Sequence, residues 1–149
     1  MRLIDKFFHK PATEAAEYEP ATEQEAWAGI LYACMVANDN VDCAEVENLM
    51  DKLILEEKFA GVNFVGLYKA VADQEMEIGG YGLVKACSKH VEEKDREKVF
   101  SKALEIVLAD GTIDDDERKI IDAIAKEMRI TKKTVNEMIN NFVPDAKEE

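Results

Sequence analysis

Asp110-Gly111-Thr112-Ile113-Asp114-Asp115-Asp116-Glu117 decides how the rest of the chain is read. Five carboxylates and one glycine fall within these eight residues. Before them, Val99, Phe100, Ala103, Ile106 and Val107 recur at helical spacing. After them, Ile120, Ile121, Ile124, Ala125 and Met128 do the same. Apolar positions three and four apart share one helix face, so the stretch is an acidic turn between two amphipathic helices. A weaker copy lies at Asp39-Asn40-Val41-Asp42-Cys43-Ala44-Glu45. A shift of 72 aligns Val41 with Ile113, Asp42 with Asp114, Glu45 with Glu117 and Leu49 with Ile121. The Asp-Asn and Asp-Gly pairs align at 71, so one loop is a residue longer. Two similar hairpins imply an internal duplication with approximate two-fold symmetry, and two units are too few for a stacked solenoid.

Working outward, the same periodicity continues. Pro11, Pro20 and Pro144 are the only prolines, so nothing between residues 21 and 143 forbids helix except glycine. Thr22 and Glu25 have capping-box spacing ahead of Trp27, Ile30, Leu31, Cys34 and Met35. Val46, Leu49, Met50, Leu53 and Ile54 mark a second helix starting at Asp42. Phe64, Val65, Tyr68, Val71 and Ala72 mark a third. Gly79, Gly80 and Gly82 form a joint before Leu83, Val84, Cys87 and Val91. Thr131 caps a last helix carrying Val135, Met138, Ile139 and Phe142. With no strand alternation, the expected fold is all-α with about seven helices. Residues 1–20 read as a short amphipathic start and acidic linker, 21–143 as the helical domain, and 144–149 as a charged, frayed tail.

The chain has 149 residues, 47% of them hydrophobic, which suits one domain. At that size roughly 70% of the unfolded surface is buried. The formal charge of −13 opposes phosphate backbones, so no nucleic-acid partner is expected. It favours cations, basic proteins or solubility. Cys34, Cys43 and Cys87 form no CxxC pair, and His9 and His90 have no zinc spacing. That pattern fits reduced thiols in a cytoplasm. No apolar run approaches the ~20 residues of a membrane span. Leu3, Ile4, Phe7 and Phe8 share one helical face beside Arg2, Lys6 and Lys10. Such a segment either touches a membrane surface or packs back on the domain.

The second acidic stretch matches the back half of an EF-hand loop. Asp110, Gly111, Thr112, Ile113, Asp114 and Glu117 would supply a ligand, the sharp turn, a carbonyl, an apolar anchor, another oxygen and the closing Glu. The loop's first and third ligand positions fall on Ile106 and Leu108, which cannot ligate. A cation here would need waters or carboxylates from Asp39, Asp42 and Glu45. An all-oxygen set favours Ca²⁺ or Mg²⁺ over Zn²⁺. Capping is the competing reading, since Asp42 with Glu45 and Asp114 with Glu117 have capping-box spacing. Asp115 and Asp116 complement the positive end of the helix dipole. Capping does not account for Asp39, Asp110 or the density of charge.

Ala37-Asn38-Asp39-Asn40-Val41 followed by Glu45, and Leu108-Ala109-Asp110-Gly111-Thr112-Ile113-Asp114-Asp115-Asp116-Glu117, resemble the tellurite-resistance TerB family. Met76-Glu77-Ile78-Gly79 and the short aromatic start are also similar. The first motif departs from the pattern at Asn40, where the family commonly has Gly, and at Cys43-Ala44. The resemblance implies a cytoplasmic bacterial protein with an all-helical, pseudo-symmetric fold. It also implies candidate divalent-metal ligands at Asp39, Asp42, Glu45, Asp110, Asp114 and Glu117, and a role in resistance to tellurite and other stresses. Two further functions are weighed against a metal-binding module. One is an acidic protein-interaction or membrane-associated scaffold module that docks a basic or membrane-bound protein partner and needs no metal. The other is a thiol-based reductant. No nucleophile elbow, P-loop or HExxH is present, so no enzyme and no small-molecule substrate are expected.

Overall fold

The computed structural model describes residues 5, 7, 8, 18–37, 47, 51, 53, 55–108 and 111–143. Among them lie five α-helices and no strand: α1 (Glu23–Ala37), α2 (Phe64–Ser88), α3 (Arg96–Val107), α4 (Asp115–Met128) and α5 (Lys132–Phe142). Single-turn 3-10 helices span Glu57–Phe59 and Glu93–Asp95. Residues 47, 51 and 53 are helical, but most of the second helix and the whole first acidic loop lie outside the described residues. So do most of the first repeat and residues 144–149.

Helix α1 is the centre of the core. The sequence predicts an amphipathic helix, yet every residue from Ala26 to Met35 is buried. A helix that is apolar or small all round has no solvent face to keep. It packs most extensively on α2, and also on α3. Its closest approach is at Gly29, where a Cβ would stand 2.5 Å from Cys87 Sγ. Trp27 packs edge-on to Phe59, whose ring stacks on Phe64. The aromatic trio fixes where α2 begins, and Asn63 caps it by accepting from Gly66 N–H at 3.2 Å.

The turn or joint expected at the glycines is present as a kink that separates two helical arms of α2. Gly79 has φ 79° and ψ 169°, inside an otherwise helical α2. Only glycine adopts that region without a strain of roughly 1–3 kcal/mol. The third and fourth helices expected from the sequence are thus the two arms of α2, separated at Gly79. On the first arm the inward stripe is Phe64, Leu67, Tyr68, Val71 and Ile78. Val65, expected inside, is 74% exposed, because it lies off that stripe. On the second arm Leu83, Val84 and Cys87 are buried.

Helices α3, α4 and α5 close the core. Val99, Phe100, Ala103, Val107, Ile120, Ile121, Ile124, Met128, Val135 and Ile139 are all buried, as their spacing predicts. Arg129 leaves α4 in the left-handed conformation (φ 59°), and Thr131 caps α5 through Thr134 N–H at 3.2 Å. Arg118 Nη2 donates to Asn136 at 2.7 Å and ties α4 to α5. Of the amphipathic start only residues 5, 7 and 8 are described, and Phe7 among them is fully buried, 4.9 Å from the Phe8 ring and 6.1 Å from that of Tyr81. No described helix is long and apolar enough to cross a membrane.

Candidate functional site

The acidic turn 111–117 joins α3 to α4. Gly111 has φ 79°, the left-handed conformation that lets the chain reverse sharply. Ile113 then packs, half-buried, against the core and anchors the turn. Asp114 is the N-cap of α4, and its Oδ1 accepts from Glu117 N–H at 2.7 Å. Glu117 Oε1 accepts from Asp114 N–H at 2.9 Å, completing a capping box. Glu117 is only 5% exposed, whereas Asp114 and Asp115 are exposed. The chain therefore presents Asp114 outward and folds Glu117 inward beneath it. Of the six sequence-derived candidates, only Asp114 and Glu117 fall in the described part. Asp39, Asp42, Glu45 and Asp110 lie outside the described residues.

A second cluster of carboxylates has no counterpart in the sequence motifs. Glu23 at the start of α1, with Glu92 and Asp95 around the second 3-10 turn, brings three carboxylate oxygens within 4.8 Å of one another. Lys58 reaches into it from the first 3-10 turn. Its Nζ lies 2.6 Å from Glu23 Oε1, 2.8 Å from Asp95 Oδ2 and 3.2 Å from Glu92 Oε1. Glu23 also accepts from Glu92 N–H at 3.0 Å and from the Trp27 indole at 3.3 Å. Gln24 Nε2 donates to the Lys58 carbonyl at 2.7 Å and holds the lysine backbone in place.

The charges follow this geometry. Burial acts to raise the Glu23 pKa, but the Lys58 ammonium, the Glu92 N–H and the Trp27 indole outweigh it and hold the carboxyl below its usual range. Asp95 first and Glu23 next raise the Lys58 ammonium above the ordinary lysine value. The ammonium thus occupies the position a cation would take and offsets part of the charge of the three carboxylates, while Lys94 pairs with Glu92 from outside at 3.4 Å. Nearby, Glu56 bridges to Lys98 at 3.1 Å and Lys102 at 3.3 Å. Both ion-pair sets pin residues 56–58 to the body of the fold.

Two other features bear on chemistry. An open cleft of about 440 Å³ lies between the starts of α1 and α2, lined by Thr22, Gln24, Glu25, Val62, Asn63, Gly66 and Leu67. Its one carboxylate, Glu25, accepts the Tyr18 hydroxyl. Cys34 and Cys87 are fully buried, and burial pushes both thiols up to about 12. At neutral pH neither supplies a thiolate, which matches their inner-face spacing in the sequence. Cys43 lies outside the described residues.

These features define an all-helical acidic protein whose conspicuous polar chemistry is carboxylate. The family model for tellurite resistance protein TerB matches residues 24–140, and the chain belongs to that family. No curated protein and no solved structure matches it.

Proposed function

We propose that this TerB-family protein is a non-catalytic cytoplasmic module of tellurite and stress resistance that binds a divalent cation at its acidic interhelical turns. The observation that carries the reading is the arrangement at residues 111–117. A left-handed glycine, an anchored Ile113 and an exposed Asp114 are followed by Asp115. The capping box engages Oδ1 of Asp114, and a carboxylate can accept at both oxygens. Glu117 plays a different part from the closing Glu of an EF-hand. Its Oε1 is committed to the cap, so it positions Asp114 and offers a cation its second oxygen at most. Oxygen ligands alone suit Ca²⁺ or Mg²⁺ better than Zn²⁺. Few rigid ligands make the affinity modest. Asp110 and, from the first turn, Asp39, Asp42 and Glu45 complete the proposed ligand set.

Binding would relieve repulsion among crowded carboxylates and stiffen the α3–α4 turn, and a partner protein would read the difference. The test is Ca²⁺ and Mg²⁺ affinity of the Asp110→Asn, Asp114→Asn double variant beside the wild-type chain. At least a tenfold loss is expected. Unchanged affinity would remove the turn from the site.

A further inference from the structure

We propose that the turn between α4 and α5 is a cationic docking surface for the acidic turn 111–117 of a second copy, so that the chain self-associates head to tail. Lys126, Arg129, Lys132 and Lys133 fall within eight residues here, and all four are exposed. Among the described residues none of the four pairs with an acid, whereas Lys58, Lys94, Lys98, Lys102 and Arg118 do. Two acids close in sequence are engaged elsewhere: Asp122 accepts from Arg118 at 3.1 Å, and Glu127 accepts the Tyr81 hydroxyl. In a chain with 32 acidic residues to 19 basic ones, four neighbouring cations without an acid are a local exception.

The corner also departs from the preferences that stabilise helices. Lys132 and Lys133 open the first turn of α5, which holds no acid. Cations there oppose the positive end of the helix dipole. Arg129 takes the left-handed conformation (φ 59°) at the end of α4, a position that glycine fills without strain. The negative end of α4 accounts for Lys126 and Arg129, but nothing local accounts for the two lysines. Residues that break local rules together on one exposed corner mark a surface used for binding. The matching surface is at the other end of the same helix. Asp114 and Asp115 are exposed at the start of α4, whose 14 residues put its two ends about 20 Å apart. One rigid helix cannot bring its own ends together, so the pairing runs between copies, as a heterologous contact. The formal charge of −13 opposes a phosphate backbone or an anionic lipid surface. Among the described residues the exposed large apolar side chains are Leu55, Val65 and Met76, so the corner has nothing to insert into a bilayer. The same net charge keeps copies apart except where opposite patches touch, since physiological salt screens beyond ~8 Å. Exposed ion pairs contribute little each, so the association is weak and transient.

The acidic turn is also the proposed cation site, so the test is run with chelator present and the two readings fail separately. The experiment is sedimentation velocity of the full chain, from micromolar to millimolar protein, at physiological and at half-molar salt. Wild type should self-associate at physiological salt, and at least tenfold more weakly in half-molar salt. The double variant Lys132→Glu, Lys133→Glu and the separate variant Asp115→Lys should each lose association at least tenfold. Mixed together they should regain it, because the acidic turn of one meets the intact corner of the other. Circular dichroism establishes that each variant is folded; if the reversed pair misfolds, Lys132→Gln, Lys133→Gln removes the charge without reversing it. Wild type that stays monomeric to millimolar concentration overturns the proposal. So does association that neither variant weakens, or that mixing fails to restore. Binding of a polyglutamate peptide at the corner without self-association would also overturn it, and would assign the corner to an acidic partner protein.

Discussion

Replacing Lys58 with Met removes the ammonium and keeps the aliphatic stem, so Glu23 and Asp95 lose their ion-pair partner beside Glu92, which keeps only the exposed Lys94. Their exposure sets the magnitude. The side chains of Glu23 and Asp95 are 19% and 11% exposed, whereas that of Glu92 is 53% exposed. Exposed pairs contribute about 0–1 kcal/mol, so Glu92 adds little. Removing one partner of a buried pair costs about 3–5 kcal/mol. Lys58 itself is 26% exposed, which places the expected loss between these limits, at about 2–4 kcal/mol. Urea unfolding followed by far-UV circular dichroism measures it. For a domain of this size each kcal/mol lowers the Tm by about 2–4 °C. Asp95→Asn in the Lys58→Met background should recover part of the loss, because it removes one of the stranded charges. A loss below about 0.5 kcal/mol, with no recovery in the double variant, would refute the view that Lys58 neutralises a partly buried carboxylate cluster.

Stability should also follow pH in a defined way. Glu23 and Glu56 have lowered folded-state pKa values, so their contribution is present above the ordinary carboxyl value of 4.5 and is lost as pH falls through their lower folded values. Lys58 has a raised value, so its contribution is complete below 10.5 and is lost only as pH rises beyond that. Denaturant midpoints measured across pH should show both edges, and Lys58→Met should weaken the alkaline one, to which the buried Cys34 and Cys87 thiols also contribute. Asp114→Ala should cost about 1 kcal/mol through the lost α4 cap, while Glu117→Gln, which retains an acceptor, should cost less. Urea midpoints for the two variants check the order. Cys34 and Cys87 should resist a thiol reagent at neutral pH in the native protein and react on unfolding, as mass spectrometry of modified peptides will report.

Local features of the fold were legible and long-range ones were not. The buried faces of α3, α4 and α5 follow directly from the spacing of Val99, Phe100, Ile120, Ile124, Val135 and Ile139. Spacing also revealed the Asp114–Glu117 box, because a capping motif is a contact between residues three apart. It misjudged α1, since a stripe at Trp27, Ile30 and Leu31 does not reveal that Ala28, Tyr32 and Ala33 are also covered by neighbours. It placed Val65 inside because Val65 keeps helical spacing with Tyr68 and Ala72, whereas the stripe that meets the core runs through Phe64, Leu67 and Val71. The Lys58 cluster left no signal. Glu23 meets Lys58 across 35 positions and Glu92 across 69, and only the packing of α1 against α2 brings them together. The glycine joint was visible as Gly79, Gly80 and Gly82, but its use as a seat for Phe7 was not.

The most direct test of the metal-binding reading is calorimetric titration of chelator-stripped protein with Ca²⁺, Mg²⁺, Mn²⁺ and Zn²⁺ in physiological salt. Saturable uptake of about one or two ions is expected, with Ca²⁺ or Mg²⁺ ahead of Zn²⁺. Absence of binding up to millimolar metal would contradict it, reducing Asp114 and its neighbours to a helix cap and solvated surface and leaving partner recognition as the function of the acidic turns.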